Sequence, residues 1–192
     1  MIKNIGFGIC GSFCTFDKIL VEIEKIVQKG YNVIPILSNS VLDNDTRFFK
    51  SCDFVEKITK LTGNKPITDI VAAEPLGPKN LIDIMVISPC TGNTLAKLAN
   101  GISDNAVTMV AKSLMRNFKP VVIGFSSNDG LGLNLKNLAT LINTKGIYFV
   151  PFGQDDPTHK PKSLIADYSK ILETIEFAEQ QIQIQPILLK GE

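Results

Sequence analysis

Short apolar runs alternate with stretches of helical periodicity along most of the chain. The apolar runs predict buried strands, and apolar residues three and four positions apart predict helices. The predicted strands cover residues 4–9, 32–37, 82–87, 120–125 and 146–152. The predicted helices cover residues 16–29, 46–61, 94–99, 105–115, 133–143 and 163–183. Gly30 follows the first of these helices, where a glycine commonly ends a helix.

The repeated strand–helix alternation predicts the fold class. Strands that read as continuous apolar runs are typical of a parallel sheet with helices on both faces. Right-handed crossovers then give an α/β, three-layer, doubly wound sheet of Rossmann-like type. Residues 1–184 are predicted to form one domain, with a polar loop over 153–162 and a C-terminal tail over 185–192.

Composition narrows the classes of function. A chain of 192 residues with 44% hydrophobic content is long enough to bury one core. The 20 Lys and Arg residues against 19 Asp and Glu argue against a nucleic-acid partner or an anionic membrane surface. No apolar stretch has the length of a membrane span, and the chain enters strand residues without a signal-peptide region. The four cysteines show no disulfide framework and no metal-ligand spacing, which favours a reducing cytoplasm.

A glycine-rich motif follows the first predicted strand. The segment Gly6-Phe7-Gly8-Ile9-Cys10-Gly11 matches the G-x-G-x-x-G pattern, in which glycine lets the backbone approach a phosphate. A dinucleotide site also needs an acid at the end of the second strand to hold the ribose. That strand ends in Ser38-Asn39-Ser40 instead. The interpretation as an NAD site therefore loses its main support.

Small polar residues follow three of the predicted strands. They are Gly8, Cys10, Gly11 and Ser12, then Ser38 and Ser40, then Ser88, Pro89, Cys90, Thr91, Asn93 and Thr94. Backbone N–H groups and hydroxyls at the carboxyl edge of a parallel sheet can bind a phosphate without a lysine. Serine and glycine also make tight turns after strands, which is the alternative for any single loop. Three converging loops favour a mononucleotide site.

These loops carry a resemblance to a known family. Gly11-Ser12, the serines at positions 38 and 40, and residues 89–96, 99–105 and 159–163 occur in the order found in the FMN-binding flavoproteins. That family includes the cysteine decarboxylases of coenzyme A and lantibiotic synthesis and the flavin prenyltransferases. The resemblance implies FMN held by the three loops together with Ser126. It also implies self-association as a trimer or a multiple of trimers.

Residues 73–79, 126–134 and 148–155 resemble one branch of this family in particular. Members of that branch act with a second subunit of nicotinamide-binding type, which places NAD(P) on the partner. Together the two subunits convert a dihydrodipicolinate-type intermediate into dipicolinate during bacterial endospore formation. The resemblance thus implies an oxidoreductase subunit in the mother-cell cytoplasm, with a small dicarboxylate as substrate.

The other branches carry residues that this chain lacks. The decarboxylases resemble one another in a histidine between the second and third strands, and the only histidine here is His159. The prenyltransferases carry a tyrosine and an arginine where this chain has Thr158 and Thr174, and Arg and Glu in the region of residues 126–128. Decarboxylase and prenyltransferase activity stay open as alternatives, as does a structural partner that has lost the cofactor.

The expected substrate is a dianion, so cations are expected beside the cofactor. Lys160 and Lys162 are the first candidates, Asn105 is a further substrate contact, and Arg47 and Lys112 are more distant candidates. Lysines in proline-rich loops are commonly solvated surface charges, which is the alternative.

One histidine and three of the cysteines complete the candidate chemistry. His159 is the candidate proton acceptor, because an unperturbed histidine titrates near neutral pH, although a lone loop histidine is more commonly a surface group. Cys90 is expected beside the flavin, with a pKa that a helix N-terminus could lower. Cys10 and Cys14 are expected to be buried thiols.

Overall fold

A seven-stranded sheet forms the centre of the computed structural model, which describes residues 2–189. Its strands are β1 (Asn4–Ile9), β2 (Asn32–Leu37), β3 (Ile84–Cys90), β4 (Val121–Ser127), β5 (Ile147–Phe149), β6 (Phe152–Asp156) and β7 (Lys160–Ala166). The first five strands are parallel, in the order β2-β1-β3-β4-β5. The predicted α/β doubly wound sheet is therefore confirmed.

Helices cover both faces of the sheet. They are α1 (Phe16–Gln28), α2 (Asn39–Leu42), α3 (Ser51–Thr62), α4 (Ile70–Ala73), α5 (Gly92–Ala99), α6 (Ala106–Arg116), α7 (Leu135–Ile142) and α8 (Ile171–Glu179). Helix α1 packs against α3 and α8, whereas α5 and α6 pack against each other and against α7 and α4, respectively. Every residue of β3 is buried as a result, which explains the apolar run over its residues 84–87.

The antiparallel hairpin β6–β7 departs from the sequence prediction. The sequence predicts a loop over 153–162 and a helix over 163–183; the loop prediction is wrong, and so is the predicted start of the helix, because β6 and β7 occupy these residues. Strand β7 pairs antiparallel with the end of β4, where Ser126 lies opposite Ile165. The predicted strand 146–152 divides near Pro151, because β5 pairs with β4 and β6 leaves to pair with β7. The helix begins only at Ile171.

Helix α3 begins later than its periodicity predicts. The hydroxyl of Thr46 accepts hydrogen bonds from the backbone N–H groups of Phe48 and Phe49. The Ser51 N–H donates to Asp45 Oδ1 (2.8 Å). Such local side-chain bonds compete with a helix, so residues 46–50 form a loop. The prediction for Gly30 is confirmed, since its φ of +91° is the left-handed conformation that favours glycine.

The segment after residue 184 lies along β6. The Phe152 N–H donates to the Ile187 carbonyl (3.0 Å), and the Leu189 N–H donates to the Phe152 carbonyl (2.9 Å). The remainder of the predicted tail, residues 190–192, lies outside the described residues. No helix within residues 2–189 has the length and apolar character needed to span a membrane.

Candidate functional site

Two hollows open at the carboxyl ends of the parallel strands. In a sheet of this order the strand sequence reverses between β1 and β3, and ligands of such folds bind at that point. The larger hollow has a volume of about 500 Å³ and the smaller one about 320 Å³. Gly11, after β1, and Thr91, after β3, line both. The two hollows therefore meet where the sequence predicted a ligand.

The smaller hollow is lined mainly by uncharged polar groups. Its lining is Cys10, Gly11, Ser38, Asn39, Ser40, Thr91, Asn93, Thr94, Lys97, Asp104 and Asn105. Ser38 is 6% exposed, and its hydroxyl has no hydrogen-bond partner within the described chain. A buried hydroxyl without a partner is costly unless a ligand or water bonds to it. Lys97 Nζ is paired with Asp104 Oδ2 (2.7 Å), which removes the net charge here.

Helix α5 begins at the junction of the two hollows. Thr91 is its N-cap, and the Thr94 N–H donates to the Thr91 hydroxyl (3.4 Å). The positive end of the helix dipole favours an anion at this position. The Thr94 hydroxyl in turn donates to the Cys10 sulfur (3.2 Å), which joins the loops after β1 and β3.

The larger hollow lies between the loops after β1 and β4 and the β6–β7 hairpin. Its lining includes Gly11, Ser12, Phe13, Cys14, Thr15, Lys18, Arg47, Phe48, Thr91, Gly92, Ser126, Ser127, Asn128, Asp155, Lys160, Ser163 and Ile165. The hydroxyls of Ser12 and Ser126 share a hydrogen bond of 3.2 Å. Lys160 Nζ lies 2.8 Å from Asp155 Oδ2, and Arg47 and Lys18 bring two further positive charges.

Most of the predicted site residues come together at these hollows. Those that line one or both are Cys10, Gly11, Ser12, Ser38, Ser40, Thr91, Asn93, Thr94, Asn105, Ser126, Arg47 and Lys160. The sequence interpretation missed Lys18, Phe48, Asp155 and Ser163. The last two lie on the hairpin, Asp155 on β6 and Ser163 on β7, where the sequence predicts a loop and a helix, so no local sequence signal placed them.

Other predicted residues lie outside the hollows. Ser88, Pro89 and Cys90 belong to the fully buried strand β3, with a cis peptide bond between the first two. Gly8 lies inside β1, where an added methyl group would lie 3.0 Å from Met85 Cε and from Val107 Cγ1. The four are therefore packed below the site and do not line either hollow.

His159, Lys162 and Lys112 also lie outside the two hollows. The side chain of His159 is 81% exposed, and its Nδ1 lies 3.1 Å from Asp156 Oδ2, just before β7. Lys112 on α6 donates to the Ser103 hydroxyl (3.3 Å). The position of the histidine gives no support to its predicted role as proton acceptor.

The pKa of Cys90 and the exposure of Cys14 differ from the predictions. Burial raises the pKa of Cys10 to about 11, against the weaker opposing effect of the Thr94 hydrogen bond. Burial and the neighbouring Cys10 raise the pKa of Cys90 well above its ordinary value, so the expected lowering by a helix N-terminus is wrong. Cys14 is exposed at the larger hollow, so its predicted burial is also wrong.

Two of the four thiols are expected to react readily in the native protein. A pKa of about 11 leaves Cys10 with about one thiolate per thousand molecules at pH 8. Cys10 and Cys90 are expected to become reactive only on unfolding, whereas the exposed Cys14 and Cys52 react in the folded protein, although a hydrogen bond to Asp53 raises the pKa of Cys52. Titration with a chromogenic disulfide, with and without denaturant, counts them. A fast reaction at Cys90 in the folded protein would contradict the assignment of its burial.

The family follows from comparison with known proteins. The model of the family described as Flavoprotein matches residues 1–178. The chain belongs to the flavoprotein family. It is also 49% identical over 189 residues to the B subunit of dipicolinate synthase from Bacillus subtilis strain 168, which covers 98% of this chain and 94% of that protein.

Solved structures of flavoprotein relatives share the fold. The B subunit of dipicolinate synthase from Bacillus halodurans superposes with a TM-score of 0.90 and 45% identity, over 99% of this chain and 97% of that one. Burkholderia xenovorans DmrB, solved in complex with FMN as a cubic cage, gives a TM-score of 0.69 at 14% identity, over 94% and 98%. The second likeness shows the fold alone.

This chain has an uncharged threonine at the position where a resemblance to the prenyltransferases would require an arginine. Thr174, at the position of the expected arginine, is fully buried in α8. Its hydroxyl donates to the Lys170 carbonyl (2.7 Å). The buried packing at this position does not accommodate the charged side chain of an arginine.

Proposed function

We propose that the chain is the flavin-site subunit of a dipicolinate synthase. It acts with a second subunit of nicotinamide-binding type to oxidise a dihydrodipicolinate-type intermediate to dipicolinate in the mother cell of a sporulating bacterium. The observation that carries the proposal is the meeting of the loops after β1, β2 and β3 around two joined hollows. The extensive likeness to the B subunits of two dipicolinate synthases supports the reaction.

The residues present fit FMN. Both hollows have volumes within the range of small-molecule sites, about 300–1,000 Å³. The unpartnered hydroxyl of Ser38 and the N-terminus of α5 at Thr91 supply donors for a phosphate. Ser12 and Ser126 supply further hydroxyls on the larger side. DmrB, which has the same fold, is solved in complex with FMN, and this supports FMN as the class of cofactor.

Formation of the aromatic ring removes one hydride and one proton from the dihydro ring. A flavin supplies a hydride acceptor when it is bound. The chain's own contribution is to bind and orient: the hydroxyls and helix α5 hold an anion, and the cations of the larger hollow attract a carboxylate. A homo-oligomer, either a trimer or a multiple of trimers, with the flavin near subunit contacts, is part of the same proposal.

The proposal predicts that dipicolinate forms only when both subunits are present. The purified chain is expected to take up FMN, seen as a shifted flavin absorbance and quenched flavin fluorescence. Mixed with its nicotinamide-binding partner, NAD(P) and the lysine-pathway intermediate, it should yield dipicolinate, detected by its ultraviolet absorbance. Each of the two proteins alone serves as a control.

Two outcomes separate the alternatives. Turnover of a peptidyl or pantothenoyl cysteine, or of reduced FMN with a prenyl phosphate, by this chain alone would favour a decarboxylase or a prenyltransferase. Full dipicolinate output from a variant that cannot bind FMN would instead leave the chain as a structural partner of the nicotinamide-binding protein. Either result would overturn the proposal.

A further inference from the structure

The larger hollow carries three cationic side chains on three different elements. Lys18 lies in the first turn of α1, Arg47 in the loop over 43–50, and Lys160 at the start of β7. One carboxylate, that of Asp155, lines the same hollow and is paired with Lys160. The lining therefore keeps two positive charges that no carboxylate within it balances.

The linings of the two adjoining hollows differ in net charge. In the smaller hollow Lys97 is paired with Asp104 Oδ2 (2.7 Å), so the charges of its lining cancel. Within residues 2–189 neither Lys18 nor Arg47 forms an ion pair. Two adjoining hollows thus differ in net charge, and unbalanced positive side chains line only the larger one.

Two of the cations are held in place by neighbours. The guanidinium carbon of Arg47 lies 4.8 Å from the centre of the Phe48 ring, a cation–π contact that restrains the side chain. Lys160 is fixed by Asp155, and this bond raises the pKa of its ammonium group. A planar guanidinium matches a carboxylate in two parallel hydrogen bonds, whereas an ammonium acts as a point charge.

We propose that the larger hollow binds a planar aromatic dicarboxylate through Lys18 and Arg47, which neutralise its two carboxylates. The inference rests on the function proposed above and assigns the substrate to one of the two hollows. Lys160 lines the same hollow, but its charge is balanced by Asp155. Because two separate cations are needed, the site selects for dicarboxylates over monocarboxylates of the same ring. Lys18 and Arg47 are therefore specificity-determining residues.

Cys14 offers a probe of this hollow. Its exposed thiol lines the larger hollow, whereas the exposed thiol of Cys52 lies on α3 outside it. The full-length chain is alkylated with and without dipicolinate, and both cysteines are followed by peptide mass spectrometry. Saturating dipicolinate is expected to slow alkylation of Cys14 by about fivefold or more and to leave Cys52 unchanged. Picolinate, with one carboxylate, should need about tenfold higher concentration for the same protection.

Substitutions test the two cations. Arg47→Gln and Lys18→Gln are each expected to raise the half-protecting concentration of dipicolinate by about tenfold. The matched control is Lys145→Gln, which removes one exposed charge just before β5, at the opposite end of the sheet. This substitution should leave the half-protecting concentration of dipicolinate unchanged. Absence of protection in the wild-type chain, or equal protection by picolinate, would overturn the inference.

Lys18 and Arg47 could instead bind the phosphate of FMN. A second measurement distinguishes the phosphate of FMN from the carboxylates of the substrate. FMN and riboflavin affinities are measured by fluorescence quenching for the same variants. If Arg47→Gln and Lys18→Gln weaken FMN but not riboflavin, the cations serve the phosphate and the inference is wrong. FMN binding without dipicolinate protection would remove the inference and leave the cofactor site, so the two proposals fail separately.

Discussion

The Gly11→Val substitution is expected to weaken FMN binding by about a hundredfold or more while leaving the fold intact. Gly11 lines both hollows at their junction. A Cβ added there would lie 3.0 Å from Ser40 Cβ and 3.4 Å from the Phe13 ring. The two methyl groups of valine would therefore extend into the space that one ligand must share between the hollows. Flavin fluorescence quenching measures the affinity.

A second glycine provides the matched control. Gly153 on β6 lines neither hollow, and a Cβ there would lie 3.4 Å from Leu189 Cβ, an ordinary contact. Valine suits a strand position, so Gly153→Val should keep wild-type FMN affinity and melting temperature. If Gly11→Val bound FMN as tightly as the control, the flavin would not cross the junction, and the proposed cofactor site would be wrong.

The sequence was sufficient to predict the parallel core and its polar loops. Residues 84–87 of β3 form an apolar run because both faces of the strand are covered. Parallel strands end at one edge of the sheet, so polar residues after β1, β2 and β3 had to be neighbours. Only local pattern and a general rule of topology were required, and that is why Ser38 and Thr91 could be assigned to a common site.

The hairpin could not be predicted because its stability comes from residues distant in sequence. Strand β7 pairs with the end of β4, about forty residues earlier, with Ser127 opposite Leu164. The run from Ser163 to Ala166 precedes a true helix and has no alternation to mark it as a strand. As a result the sequence did not predict Asp155 and Ser163, which line the larger hollow, as site residues.

The sequence also could not predict how deeply each site residue is buried. In the sequence Ser88 and Ser38 each follow an apolar run, and both have buried hydroxyls without a partner in the described chain. Only Ser38 lines a hollow, because Ser88 packs against Gly124 on the adjacent strand β4. The difference depends on where each strand ends: β3 continues to Cys90 and includes Ser88, whereas β2 ends at Leu37, just before Ser38. The predicted lowering of the Cys90 pKa is wrong for the same reason.

Phe54→Ala is expected to destabilise the protein by about 3–5 kcal/mol. Phe54 is 1% exposed and, with Ile58, supplies the buried face of α3. Its ring centre lies 4.4 Å from that of Phe16 on α1 and 5.7 Å from that of Phe49. Alanine would leave a cavity between two helices that cannot fully close, and the aromatic contacts would be lost with it. Urea unfolding followed by circular dichroism gives the free energy of unfolding.

Phe118→Ala is the control for this prediction, since Phe118 is 89% exposed and its removal should change the free energy by less than about 0.5 kcal/mol. The aromatic cluster also has a functional consequence. Phe49 contacts Phe54 and lies in the loop that carries Arg47, so a loosened α3 should release that loop as well. Protection of Cys14 by dipicolinate should then weaken in Phe54→Ala at temperatures where the protein is still folded. A stability loss near that of the control would show that α3 is held by contacts other than this cluster.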